Sequence, residues 1–261
     1  MALCWTLDKL GPLARSARDA ESILRAIMGS DPADPTAVDE PFTSSGKRPR
    51  IGVIKGATQK TMPGVIKNFN ASLKALAEFC DIETGIELPK LPYGPAVGTI
   101  VNAEGAAAFR DLIESGRSRE LQQKDDRLGG YVAYATAAVD YIDALRQRTF
   151  MVVALREAFR GYDAIVSPTL PTVAYPIGVP FDKAYPAFPG AVDLIAAGNL
   201  TGLPALALPN GLAEHALPSG IAFLGTAFGE AKLVQIGKKY QQRTRHHLAH
   251  PTLISTAPQR A

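Results

Sequence analysis

Reactive or ligating side chains are few in this 261-residue chain: four histidines, two cysteines, a handful of turn-side serines and one helix-face glutamate. His246 and His250 stand four apart, the spacing of two metal ligands on one helix face. No third ligand accompanies them, and His215 and His247 add no ligand pattern, so surface histidines and no metal are expected. Cys4 and Cys80 are the only cysteines. They cannot build a disulfide framework, a four-cysteine zinc site or a CxxC pair, and a reducing compartment fits them. Ser16, Ser44, Ser45, Ser167 and Ser219 lie near turns or strand ends with no neighbouring signature of activation. Ser167-Pro168-Thr169 closes a strand, where pocket residues commonly sit, although a plain turn accounts for it equally well. Glu104 shares a helical face with Val97, Val101, Ala108 and Leu112. A carboxylate there needs a raised pKa or a partner, and the plainer expectation is an edge position or a buried pair with an arginine such as Arg110 or Arg146. The chain has no GxGxxG, Walker A, HExxH or GxSxG motif. The residues alone therefore assign no nucleophile and no base.

The framework around these residues alternates between strand and helix. Ser16 and Asp19 open a helix that presents Ala20, Ile23, Leu24 and Ile27 on one face and stops at Gly29. Residues 30–49 read as a long polar connection. Ile51–Ile54 and Ile82–Leu88 read as strands around a helix that begins at Pro63 and carries Ile66, Phe69, Leu73, Leu76 and Cys80 at three- and four-residue steps, which makes a β-α-β unit. One helix is predicted over about 94–115, irregular chain over 116–136, and a long helix over about 138–160 with Ile142, Leu145, Thr149, Val152 and Phe159 in register. A buried strand follows at Asp163–Ser167, then a loop over 168–190 with six prolines; loops of that length are usually functional. A short helix at Gly190–Gly198, strands at Ala205–Pro209 and Gly220–Leu224, and a final helix over about 229–247 complete an α/β pattern.

Hydrophobic residues make up 46% and charged residues 20% of the chain, which excludes a disordered protein. No segment is long and apolar enough to span a bilayer, no signal peptide is evident at the amino terminus, and the cytoplasm is the expected location. Net charge is +3, but residues 232–261 hold six Lys/Arg and no acid. Without interleaved aromatics this reads as a solvated last helix with cations at its C-terminal end, so nucleic acid is not an expected partner.

Four stretches together resemble the amidase signature family: Trp5–Arg15 with Asp19-Ala20 and Asp31–Thr36; Asn102–Ala106 ahead of the long helix; Tyr162–Pro171; and Asn199–Ala205 with Leu217–Ile221 and the closing helix. The resemblance implies a mixed β-sheet covered by helices and the hydrolysis or transfer of amides. In that family a serine is activated through a second serine and a lysine, which must be neutral to take the proton. Those residues precede the Trp-Thr-Leu-Asp stretch, which here begins at Trp5, and no residue of 1–261 matches them. The chain thus resembles the C-terminal portion of the fold, one partial amidase-like domain over 1–261 with no catalytic residue and no cofactor. Thr169, Pro171 and Asn199 are the candidates for walls of the substrate pocket. A small amide is the expected ligand once the missing portion is supplied, and self-association through exposed apolar surface is expected. Met1 falls where relatives have an internal residue, which suggests truncation, a frameshift or a split gene. Two other readings stand beside the inactive hydrolase portion: a non-catalytic binding or structural module, and part of a split tRNA-dependent amidotransferase.

Overall fold

The computed structural model describes residues 3–124, 126–190 and 194–250. Met1, Arg260 of the basic tail and the start of the helix expected at Gly190–Gly198 lie outside the described residues. The chain divides into two compact units. One gathers residues 11–86, 161–192 and 204–261; the other gathers 1–10, 87–160 and 193–203.

The first unit is a sheet with helices. Helix α1 (Ala17–Ile27) starts as its sequence predicts: Ser16 Oγ accepts from the Asp19 N–H at 3.0 Å and donates to Asp19 Oδ2 at 2.7 Å. Its predicted apolar face is a correction. Only Ala17 is buried, and Ile23 and Ile27 are exposed. Strand β1 (Arg50–Ile54) leads through α2 (Pro63–Ala77) to β2 (Asp81–Ile86), and β1 and β2 pair in parallel, so the β-α-β unit is present. Strand β3 (Ala164–Pro168) pairs parallel to β1 on its other side. Strands β4 (Ala205–Leu212) and β5 (Pro218–Gly225) form an antiparallel pair joined to β3 through β5. The order is β2-β1-β3-β5-β4, a mixed five-stranded sheet.

Every residue of β3 is buried, as the continuous apolar run Ala164-Ile165-Val166 requires of a central strand. Ile51, Phe69, Leu76, Val166, Ile221, Phe223, Ile236 and Tyr240 form one dry core under the sheet. Each such side chain contributes about 1.5–3 kcal/mol by leaving water. Tyr240 hides its hydroxyl by pairing with Ser72 Oγ at 2.9 Å. The closing helix, α9, spans Glu230–Thr244 and turns Ala231, Leu233, Val234 and Ile236 inward.

The second unit is helical. The helix expected at 94–115 is two, α3 (Tyr93–Ala108) and α4 (Arg110–Glu114), broken at Phe109. Its buried row is Tyr93, Ala96 and Ile100, while Val101 is exposed, so the predicted face is rotated from the real one. The expected irregular chain at 116–136 instead holds a short 3-10 turn at Arg117–Glu120 and α5 (Asp126–Ala133). Gly130 sits inside α5 for a packing reason, since a Cβ there would lie 2.7 Å from Ile113 Cγ1. Helix α6 (Ala138–Ala158) buries Ala144, Met151 and Leu155; of the predicted row, Phe159 is buried, Leu145 and Val152 are half-buried, and Ile142 and Thr149 are exposed. Two short helices complete the labels: α7 (Phe181–Ala184), within the proline-rich loop, and α8 (Leu194–Thr201).

Candidate functional site

In the sheet unit, the carboxyl ends of β1 and β3 point the same way, the arrangement beside which open α/β sheets place ligands. Two segments leave these ends and are tied together. The Met62 N–H donates to Pro171 O at 2.9 Å, and the Gly190 N–H donates to Lys60 O at 3.1 Å. Thr169 and Pro171, two of the three pocket candidates, both lie in this knot. The Thr169 N–H extends the β3–β5 ladder by donating to Gly220 O at 2.9 Å. Its hydroxyl is buried and has no hydrogen-bond partner among the described residues. Gly220 makes that placement possible, since a Cβ there would stand 2.7 Å from Thr169 Oγ1.

A polar chain runs behind the knot, and sequence reasoning missed it. Asn68 on α2 donates to Ser219 Oγ at 2.8 Å and to Leu212 O at 3.0 Å, and Ser219 Oγ donates to Asn210 Oδ1 at 2.7 Å. Asn210 is only 2% exposed, at the register shift in β4 between Pro209 and Gly211. Helix α2 takes no capping bond from its own Met62. Glu214 supplies one from the β4–β5 connection, accepting from the Gly64 N–H at 2.6 Å, where the helix dipole favours a carboxylate. The only sequence signal for this was Pro63 marking the helix start.

In the helical unit the third candidate, Asn199, lies on the exposed face of α8. It belongs to the other unit from Thr169 and Pro171. What the unit does gather is the amino-terminal stretch around Glu104. Glu104 accepts from the Thr6 N–H at 2.8 Å, Thr6 Oγ1 at 2.7 Å, Tyr141 OH at 2.9 Å and Cys4 Sγ at 3.3 Å. The expected arginine partner is corrected: the carboxylate is held by four neutral donors. Burial pushes its pKa up, the hydrogen bonds from Thr6, Tyr141 and Cys4 more than offset that, and the net shift is downward. Lys9 donates to Leu203 O at 2.8 Å and Gly198 O at 3.3 Å, closing the carbonyl end of α8, and burial lowers its pKa. Three of the four stretches singled out in the sequence thus meet here through Thr6, Glu104 and Lys9.

Neither cysteine thiol is primed to attack a carbonyl. Burial, then the hydrogen bond and charge of Glu104, push the Cys4 thiol up to about 12, and burial does the same to Cys80. Ser167 Oγ spends its hydroxyl on Pro168 O at 3.0 Å. Ser44 donates to Gln235, and Ser16 serves α1. Among the described residues no serine or cysteine hydrogen-bonds a lysine or histidine side chain, and no cluster of three or more His, Cys, Asp or Glu could hold a metal. His246 and His250 do not share a helix face. Helix α9 ends at Thr244, Arg245 is left-handed, and a 3-10 turn carries His246–Leu248. No helix among the described residues is long and apolar enough to cross a membrane.

The mixed sheet with helices is the fold of amidase signature enzymes. The family model "Amidase" matches residues 1–234, and the chain belongs to that family. It is 32% identical over 284 residues to a glutamyl-tRNA(Gln) amidotransferase subunit of Roseiflexus sp. (strain RS-1), covering 97% of this chain and 58% of that protein. It is 31% identical over 270 residues to an amidase of Pseudomonas putida, covering 97% and 57%. Among solved structures, the peptide amidase of Stenotrophomonas maltophilia superimposes with a TM-score of 0.75 at 26% identity, over 94% of this chain and 55% of that one. The chain therefore spans a little over half the length of the relatives it matches.

Proposed function

We propose that this chain supplies the carboxyl-side scaffold and part of the substrate-pocket wall of an enzyme that cleaves amides, and that it does not turn over an amide by itself. The observation that carries this reading is the match of 97% of the chain to only 57% of an amidase. The absence of any serine–lysine contact among the described residues supports it. In this reading Thr169 offers its unpartnered hydroxyl to the amide and Pro171 shapes the wall beside it. The amino-terminal portion carried by the relatives is the proposed partner. Val139 and Phe150, 71% and 73% exposed on α6, give it or a second copy apolar surface to cover. Free thiols at Cys4 and Cys80 fit a cytoplasmic location.

The test is release of ammonia or amine from simple amides by the purified chain, alone and after addition of the amino-terminal portion of the Pseudomonas putida amidase. No turnover alone and turnover in the mixture is the expected pair of results; turnover by the chain alone overturns the reading. A second reading, a part in a tRNA-dependent amidotransferase, is favoured by the likeness to the Roseiflexus protein. Salt-dependent binding of tRNA supports it, and no binding at low salt removes it.

A further inference from the structure

On the sheet unit, away from the strand-end knot in sequence and element, the first turn of α1 and the last turns of α9 enclose an open groove of about 600 Å³. Arg15, Arg18, Lys238, Arg245 and His247 line it, against a single lining carboxylate, Asp19. The groove is built rather than incidental. Gln241 in its wall is only 6% exposed, and its Oε1 accepts from the Ala17 N–H at 2.8 Å, which fixes the orientation of the amide. The Nε2 on the other arm is then left without a hydrogen-bond partner among the described residues. A buried amide donor with nothing to give its protons to is destabilising unless a ligand accepts them.

The cations divide by task. Arg15 is spent on the backbone, donating to His247 O at 2.9 Å and Ala249 O at 3.3 Å. Lys238 pairs with Glu21 Oε2 at 2.7 Å. Asp19 takes the Ser16 hydroxyl at 2.7 Å. The side chains of Arg18 and Arg245 have no hydrogen-bond or ion-pair partner among the described residues. A bland role for Arg245 exists, because a cation at a helix carboxyl end suits the dipole. That role explains neither Arg18, at the opposite pole of a different helix, nor the orphaned Gln241 amide. Two free guanidinium forks, a buried amide donor and the positive end of an 11-residue helix share one need, an oxyanion with several acceptor oxygens.

We infer that this groove binds a small phosphate-bearing anion, a phosphomonoester or diphosphate, with Arg18 and Arg245 as its clamps and Gln241 Nε2 as its neutral donor. The volume admits a sugar phosphate or nucleotide. The site is independent of amide cleavage and stands or falls without it.

Calorimetric titration of the full chain with inorganic pyrophosphate tests it, beside sodium sulfate and a ten-nucleotide single-stranded RNA. Saturable pyrophosphate binding is expected, weakened about tenfold or more in the double variant R18Q/R245Q, whose circular dichroism and melting temperature stay those of the parent. The single variant R18Q, at an exposed position, gives an intermediate loss if the double variant is unstable. Pyrophosphate binding that neither variant weakens overturns the site. RNA binding without pyrophosphate binding overturns the small anion as its ligand. Sulfate binding equal to pyrophosphate binding overturns its specificity for phosphate.

Discussion

The sheet unit and the helical unit solve the problem of holding residues in place by different means. The sheet unit buries Ile51, Phe69, Val166, Phe223 and Ile236 in one dry core, with the Tyr240 hydroxyl paired to Ser72. The helical unit relies on a carboxylate hub, Glu104, and on Lys9 closing a helix end. It also leaves apolar side chains uncovered: Val139, Ile142, Phe150 and Val153 share one face of α6, opposite Ala144, Met151 and Leu155. A helix that is apolar on both sides is built to be covered on both sides. The sheet unit thus has the means to fold around its own side chains, whereas the helical unit has the surface of a part that packs against something further.

Substitutions in each unit put that contrast at risk. The largest effect is expected from Phe69→Ala, which opens a cavity in the dry core and costs about 3–5 kcal/mol in urea unfolding. A loss below about 1 kcal/mol would mean the sheet unit is not the cooperative core described. Next comes Gly220→Ala, whose new Cβ meets Thr169 Oγ1 at 2.7 Å and Leu208 O at 3.1 Å. Overpacking of this kind costs about 1–3 kcal/mol. Adding Thr169→Ala to the same chain should recover part of the loss, and strict additivity of the two would show that the hydroxyl is not what Gly220 accommodates.

Glu104→Gln tests the hub, at a cost of about 1–2 kcal/mol at pH 7, near the low end for charge-assisted bonds because the group is only half-buried. The pH dependence has a definite sign. The folded-state pKa lies below that of an unfolded glutamate, about 4.3, so the stabilisation is complete above that value and disappears as pH falls through the folded pKa. The gap between parent and variant should be flat from about pH 8 to 5 and close on further acidification. A gap that widens toward low pH would reverse the assignment. The smallest effect belongs to Phe150→Ser, within about 0.5 kcal/mol of the parent but with less self-association by light scattering. Unchanged association would remove α6 as the covering face.

The same contrast explains what was legible in the sequence. Strong periodicity with one apolar face, as in Phe69-Leu76-Cys80 and Ala231-Val234-Tyr240, was enough to place α2 and α9 and the β-α-β unit. It failed in the helical unit for physical reasons. Apolar residues encircle α6, so no single face could be chosen from spacing. Two glycines disguised α5, although Gly130 is there to admit Ile113. Glu104 was conspicuous, but Thr6 lies 98 residues away in the chain, and nothing local announces a partner at that distance. At the carboxyl end of β3, Ser167-Pro168-Thr169 closes the strand, as its sequence indicated. The buried chain Asn68–Ser219–Asn210 and the Glu214 cap on α2 carried no pattern, because the bonds that tie α2 to Ser219 and Glu214 span about 150 residues of sequence.

The proposed function requires above all that the chain contain no activated nucleophile of its own. Incubation of the native chain with a serine-reactive fluorophosphonate, followed by mass spectrometry of its peptides, puts this to the test without assuming any substrate. No adduct on any serine is the predicted result, because no serine hydroxyl among the described residues hydrogen-bonds a lysine or histidine side chain. Rapid, stoichiometric labelling of one serine, abolished by prior denaturation, would contradict it.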